Sequence, residues 1–414
     1  MRKTVSLFLS AILCVAGIAH GQRVISGSII NSKTNEPLSF AALSLKKANL
    51  GTVSNENGEF DFLIPADIKG DSLVVSYIGY KSRVMSVDAI ESPIQIKLEA
   101  QSFALSEVVV RPLPPTYYIR VAMQSIGKNY PNKPFQTEAY YRERVKENKV
   151  YVDDIDAVFK SYYPHYVAKT KNQHQLMLYR KGDIHKFQFM KYKIEKEKLK
   201  EMKQAKKDGT EYTDKDIAGL FGGPENTLDI DFIRDKEAFM DTTAFNKFNY
   251  SFGKPTTYDG KELMVINFES KRVVDYQRMV GKVLLEPGSL AVVMVEYKSD
   301  FVVPLLLRPV LFALGYSVEN PKLEKKYSYR EMGGRWYPQN IEYVVDVGLT
   351  KRHLFKSNEV AEFHVENRFM INKIITDKPA TIDAAKRFNG EKKYEEQIFN
   401  DSGISWGDVN IIKK

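Results

Sequence analysis

The chain has 414 residues, with 61 Lys and Arg against 52 Asp and Glu and a single cysteine. That length supports two or three domains with well-buried cores. The modest positive excess is not a nucleic-acid footprint, and one cysteine excludes a disulfide scaffold.

The N-terminus reads MRKTVSLFLSAILCVAGIAHGQ. Basic Arg2 and Lys3, an apolar run from Val5 to Ile18 and the small-residue motif Ala19-His20-Gly21 predict a secretory signal over residues 1–21, cut before Gln22. Leu13 precedes Cys14, which lies inside the apolar run, so no lipid anchor is expected and the mature chain should hold no thiol. Without Arg2 and Lys3 the charge balance is 59 against 52.

Residues 22–100 read as short strands with turn punctuation, RVISGSIIN, FAALSLKK, EFDFLIP, DSLVVSYIGY and PIQIKLE, the pattern of a small antiparallel sandwich. Phe60, Phe62 and Ile64 alternate onto one face. Asn55, Asn57 and Glu59 could be a fragment of a calcium loop, but that loop needs further oxygen ligands and flanking helices. Asn57-Gly58 before a β pattern instead predicts a tight hairpin turn.

The stretch ISGSIINSKTNEPLSFAALSLKKANLGTVSNENGEFDFLIP, with LVVSYIGYKS after it, resembles the carboxypeptidase-regulatory-like domain, a transthyretin-type sandwich common on exported bacterial proteins. The resemblance covers residues 23–98 and implies no activity. In carboxypeptidases this module accompanies a separate zinc domain, whose His-x-x-Glu pair follows no histidine here.

A proline-rich linker is expected over 101–115, with Pro112, Pro114 and Pro115. Within it Leu105, Glu107, Val108 and Val109 resemble the segment grasped by TonB in outer-membrane receptors that carry the same sandwich. An extended β-branched run also suits strand addition to a partner, and the alternative is a closing strand of the sandwich. Ile119, Ala122, Met123, Ile126 and Tyr130 then recur at helical spacing, ended by Pro131.

Residues 116–385, this helix included, read as one large antiparallel β domain. Glu147-Asn148-Lys149, Asp259-Gly260, Pro287-Gly288 and Gly333-Gly334 mark its turns. The mixed-charge run 191–216 is a solvated helix or excursion. Residues 386–414 form a C-terminal tail. A helix followed by a long meander is similar to the half-barrel of the outer-membrane lipoprotein carriers, a likeness of architecture that assigns no function. AYYRERVKENKVYVDDIDAVFKSYY, GKVLLEPGSLAVVMVEYK, GGRWYP and SWGDVNIIKK resemble, more loosely, the uncharacterised domain that often follows a regulatory-like sandwich in exported proteins. The fold class expected is mainly β: a transthyretin-like sandwich plus a large curved, half-barrel-like antiparallel sheet with a packing helix.

Asp154 and Asp156 lie two apart in a strand, so their carboxylates share a face and could act as an acid and base pair. Asp229 and Asp231 repeat the spacing. Acidic pairs are also ordinary on wet sheet faces. His165, His174, His185, His353 and His364 are scattered singly, so no metal or cofactor is expected. Val283–Leu285 and Ala291–Val295 are apolar on both faces, and something must cover the second. The apolar segment 301–318 is the expected lid, over a hollow for an apolar ligand touching Leu306, Leu307, Val292 and Met294; the alternative is a solid core. The function expected is a non-catalytic binding or assembly accessory of the cell envelope, in the periplasm or on the periplasmic face of the outer membrane. Its partner would be an envelope protein or an apolar ligand, with peripheral outer-membrane contact and no nucleic acid. The alternatives are an envelope hydrolase acting on glycan or peptide and a TonB-linked uptake accessory.

Overall fold

The computed structural model describes residues 22–101, 113–166, 170–189, 191–208, 223–224, 227, 231–234, 236–304, 307–390 and 392–414. The signal, Leu105, Glu107, Val108, Val109, Asp229 and Leu306 lie outside them.

The sandwich pairs two sheets. One has the order β4 (Glu59–Pro65), β1 (Gln22–Asn31), β7 (Ile94–Leu98); the other has the order β3 (Gly51–Val53), β2 (Ala42–Leu45), β5 (Ser72–Ser76), β6 (Arg83–Ser86). Phe60, Phe62 and Ile64 alternate into its core beside Ile25, Leu43, Val75 and Ile96. Two expectations need correction. β1 and β7 run parallel, because the last strand of the domain returns beside the first after a full crossover. The Asn57-Gly58 turn does not close a hairpin, since β3 and β4 belong to different sheets. It is an Asx turn: Asn55 Oδ1 accepts from Asn57 N at 2.9 Å and Glu59 N at 2.8 Å. Gly58 takes φ +73°, and a Cβ there would stand 2.6 Å from Ile29 O.

Most of the expected linker, residues 102–112, lies outside the described residues, and α1 (Pro115–Gln124) starts with proline in its first turn, where the missing N–H costs nothing. Ser125 interrupts it before α2 (Ile126–Asn129). The predicted face of Ile119, Ala122, Met123, Ile126 and Tyr130 is buried in the main core. Arg335 caps the end of the helical stretch by donating to Gly127 O, Lys128 O and Tyr130 O, placing a cation against the negative pole of the dipole.

The large sheet has 11 strands and is open. Its order begins β10 (Gln173–Lys181), β9 (Val150–Tyr163), β8 (Phe135–Glu147), β18 (Glu359–Ile375), β17 (Arg335–Lys351), β16 (Tyr316–Met332). It continues β15 (Val292–Phe301), β14 (Gln277–Leu285), β13 (Lys261–Ser270), β11 (Phe248–Phe252), with β12 (Thr256–Tyr258) also on β13. The pairs Asn148-Lys149, Asp259-Gly260 and Gly333-Gly334 all take positive φ and close two-residue hairpins. Of the charged run 191–216, residues 191–208 form α3 (Lys191–Asp208) and residues 209–216 lie outside the described residues.

Period-2 alternation makes two unlike faces. Across nine strands one register row reads Tyr179, Ala157, Tyr141, Phe369, Ile341, Tyr327, Val295, Val283, Ile266. This inner face packs against α1 and the segment holding Phe232, Phe239 and Met240. The adjacent row, on the outer face, reads Arg180, Asp156, Arg142, Arg368, Glu342, Lys326, Glu296, Lys282, Asn267. Ion pairs run along it: Arg180 to Asp156 at 2.7 Å, Arg142 to Asp156 at 3.1 Å, Arg368 to Glu342 at 3.3 Å and Lys282 to Glu296 at 2.7 Å.

The sandwich and the C-terminal tail dock on this outer face. Phe40 lies 3.5 Å under the Arg368 guanidinium, and Arg330 reaches Asn49 O at 2.8 Å. Phe40 packs with Tyr140, Met370 and Ile412 of the tail. Here the expected lid is corrected. The second face of the doubly apolar β15 is covered by the sandwich, whose Phe40, Tyr77 and Ile78 stand opposite Met294, and among the described residues not by 301–304 or 307–318.

Candidate functional site

Residues 301–304 and 307–318 sit at one end of the sheet. After Phe301 the chain turns at Pro304, whose carbonyl accepts from Leu307 N at 2.9 Å and starts α4 (Leu307–Ala313). Pro309 falls in its first turn, where a missing N–H is tolerated. Gly315, at φ +75°, ends the helix, and a Cβ there would stand 3.1 Å from Arg352 O. Arg352 N donates to Gly315 O at 2.7 Å, so the β17–β18 connection is fastened to the end of α4.

Between α4 and the ends of β15 and β16 lies a cleft of about 670 Å³. Phe301, Val302, Val303, Leu311, Phe312 and Val318 supply apolar wall, and Arg308, Lys322 and Arg352 line it with cationic groups against one carboxylate, Asp300. Arg308 Nε donates to Val303 O at 3.1 Å, and Arg352 lies 5.1 Å over the Phe312 ring. Such a site can hold an apolar chain and an anionic group together.

The sequence-predicted contacts are not gathered at this cleft. Leu307 is on α4 and is 51% exposed, whereas Val292 and Met294 are buried at the opposite end of β15. Their side chains also take opposite faces, Val292 in the main core and Met294 beneath the sandwich. Missed were Val303, Leu311, Phe312, Lys322 and Arg352; the run 301–318 pointed to the first three, and nothing in local sequence pairs them with residue 352.

Asp154 and Asp156 do share the outer face. Asp156 is 1% exposed; besides its two arginines it accepts from Tyr140 and lies 3.5 Å from Lys414. Burial works to raise its pKa, but Arg142 first, then the Tyr140 and Arg180 hydrogen bonds, outweigh it and hold the carboxylate below its ordinary value. Asp154 faces Arg144 at 3.5 Å. Asp231 is enclosed among Tyr166, Tyr327 and Tyr329, whose hydroxyls all donate to it. There burial prevails over those hydrogen bonds and raises its pKa. His174 pairs with Ser161 at 2.8 Å, and His364 bridges Asp346 at 2.7 Å and Glu366 at 3.0 Å. Among the described residues no three His, Cys, Asp or Glu side chains are grouped to hold a metal.

The sandwich belongs with its expected relatives. Residues 25–110 match the CarboxypepD_reg-like domain. The match covers well under half of the chain and ends before the large sheet begins. No curated protein matches the chain. Among solved structures it is similar to a DUF1329 family protein from Desulfovibrio piger, at 10% identity over 66% of this chain and 96% of that one, with a TM-score of 0.24. It is also similar to a LolA superfamily protein from Nitrosomonas europaea, at 10% identity over 64% of this chain and 94% of that one, with a TM-score of 0.20. Lipovitellin matches at 8% identity over 62% of this chain and 26% of its own length, with a TM-score of 0.24. Likenesses this low carry no argument about ligand or activity.

Proposed function

We propose that the chain is a non-catalytic binding accessory of the cell envelope whose cleft beneath α4 takes an apolar chain ending in an anionic headgroup. One observation carries the reading: apolar side chains from two strands and a helix form the walls, and three of the four charged groups lining the cleft are cations. A carboxylate or phosphate beside Arg308, Lys322 and Arg352 would satisfy groups that a neutral hydrocarbon would leave facing solvent. The envelope assignment draws on the N-terminal signal pattern and on the regulatory-like sandwich. Binding is favoured over hydrolysis because both Asp156 oxygens are held by arginines, leaving that carboxylate no lone pair poised for a substrate proton.

The test is titration of the full chain with an environment-sensitive fluorescent fatty acid. One probe should bind per chain, and Leu311→Asp should weaken it at least about tenfold, the order expected for losing a buried leucine contact. Arg352→Gln should weaken the acid but not its methyl ester. No binding by the unaltered protein, or equal binding by Leu311→Asp, would contradict the reading.

A further inference from the structure

The same end of the sheet carries a second feature, independent of what the cleft holds. Three hairpin ends meet there. Val302 N donates to Tyr276 O at 2.8 Å, joining the β13–β14 and β15–β16 connections, and the Arg352 to Gly315 bond joins the third. Large apolar side chains project from this rim: Leu307, Val310, Phe312 and Leu314 around α4, and Leu354 and Phe355, 93% and 99% exposed, on the β17–β18 connection. Residues 302–315 and 351–358 contain Arg308, Lys351, Arg352 and Lys356 and no carboxylate. Lys351 donates to Leu314 O and stands 4.0 Å over the Tyr316 ring. Glu359 reaches in 3.0 Å from Lys356 and 2.8 Å from His353, and Asp300 in the cleft and Asp275 in the β13–β14 connection, beside Lys271 and Arg272, lie at the same end.

We infer that this rim docks the protein peripherally on a bilayer of anionic lipid, with Leu354, Phe355 and the outer side of α4 entering the headgroup and acyl boundary. Two arguments favour lipid over a protein face. Side chains at 93% and 99% exposure are separate protrusions, and protrusions enter a fluid layer without a matching socket. The carboxylate-free basic loops complement an anionic surface, where each cation near the headgroups adds attraction. Among the described residues no helix is long and apolar enough to cross a membrane.

The experiment is flotation of the full chain with vesicles of phosphatidylethanolamine and phosphatidylglycerol, and separately of phosphatidylcholine alone. Co-flotation is expected with the anionic vesicles, should fall at high salt, and should be weak with phosphatidylcholine. The double variant Leu354→Ser, Phe355→Ser should lose at least about tenfold in vesicle affinity. Both side chains are exposed, so its melting temperature should match the parent, and neither lines the cleft, so fatty-acid titration should be unchanged. Failure to float with anionic vesicles, or equal flotation of the double variant, overturns the inference whatever the cleft binds. So does a dimer that the double variant dissociates in the absence of any vesicle binding, which would assign the rim to a second copy of the chain.

Discussion

The side chain of Asn410 pairs with the backbone of Leu63 as a neighbouring strand residue would: Leu63 N donates to Asn410 Oδ1 at 2.7 Å, and Asn410 Nδ2 donates to Leu63 O at 3.1 Å. β4 is an edge strand of the sandwich, and the tail covers that edge. Asn372 Nδ2 holds Asn410 O at 2.8 Å, and Arg142 donates to Ile412 O at 2.8 Å, so the tail ties the sandwich to the large sheet. Asn410→Ala leaves the Leu63 amide without this acceptor and should cost about 1–3 kcal/mol. Hydrogen exchange at Leu63 is the check: it should accelerate selectively, and unchanged protection would mean the tail is not what closes this edge.

The two paired aspartates should behave differently. Asp156→Ala leaves Arg142 buried and uncompensated and should cost about 3–5 kcal/mol, whereas Asp154→Ala, losing a partly wetted pair, should cost about 1 kcal/mol or less. Because the folded pKa of Asp156 is depressed, its contribution is present above the unfolded value, 3.8, and is lost as pH falls through the folded one. Acid unfolding curves of Asp156→Asn should therefore be flatter than the parent's in that window. Equal acid sensitivity of the two proteins would remove the assignment.

Much of the fold was legible because alternation and turn chemistry are local. Asp259-Gly260 and Gly333-Gly334 announce their hairpins, and the α1 face announces its burial. What escaped was decided at long range. Asn57-Gly58 carries the same dipeptide signal but joins strands of different sheets, which no local pattern distinguishes. Val292 to Val295 showed that both faces are covered, yet not that the cover over Met294 comes from the sandwich more than 200 residues earlier. The cleft was half visible: its apolar segment was read, but Lys322 enters through the β15–β16 register, opposite Asp300, and Arg352 follows Lys351, which pairs with Tyr316 in the β16–β17 register. The nine-residue polar row, eight of whose members are charged, is likewise invisible without register, since each member looks like an ordinary polar position of its own strand.

Asp231 should be structural. Its carboxylate is the common acceptor for Tyr166, Tyr327 and Tyr329, with Ile233 N adding a fourth bond at 2.8 Å. Asp231→Ala strands those hydroxyls in the core and should cost about 3 kcal/mol, while Tyr329→Phe removes one donor cleanly and should cost about 1 kcal/mol. Urea melts of the two variants check this; a larger loss from Tyr329→Phe than from Asp231→Ala would contradict it.

His364 should give the protein a pH response on the basic side. Burial disfavours its cation, but hydrogen bonds to Glu366 and Asp346 outweigh that and raise its pKa above 6.5. A raised folded pKa gives stability fully present below the unfolded value and lost as pH rises through the folded one. His364→Gln should remove that decline, so the parent and variant melting temperatures converge as pH rises from about 6 toward 8. A constant gap across that range would show that His364 does not titrate against its two carboxylates.

The most direct test of the ligand assignment is to map a photoactivatable fatty acid cross-linked to the full chain by peptide mass spectrometry. Label is expected on peptides within residues 300–322, centred on Val303, Leu311 and Phe312, and should be lost when Leu311→Asp is irradiated under the same conditions. Label confined to other parts of the sheet, or label at 300–322 that survives Leu311→Asp undiminished, would contradict it.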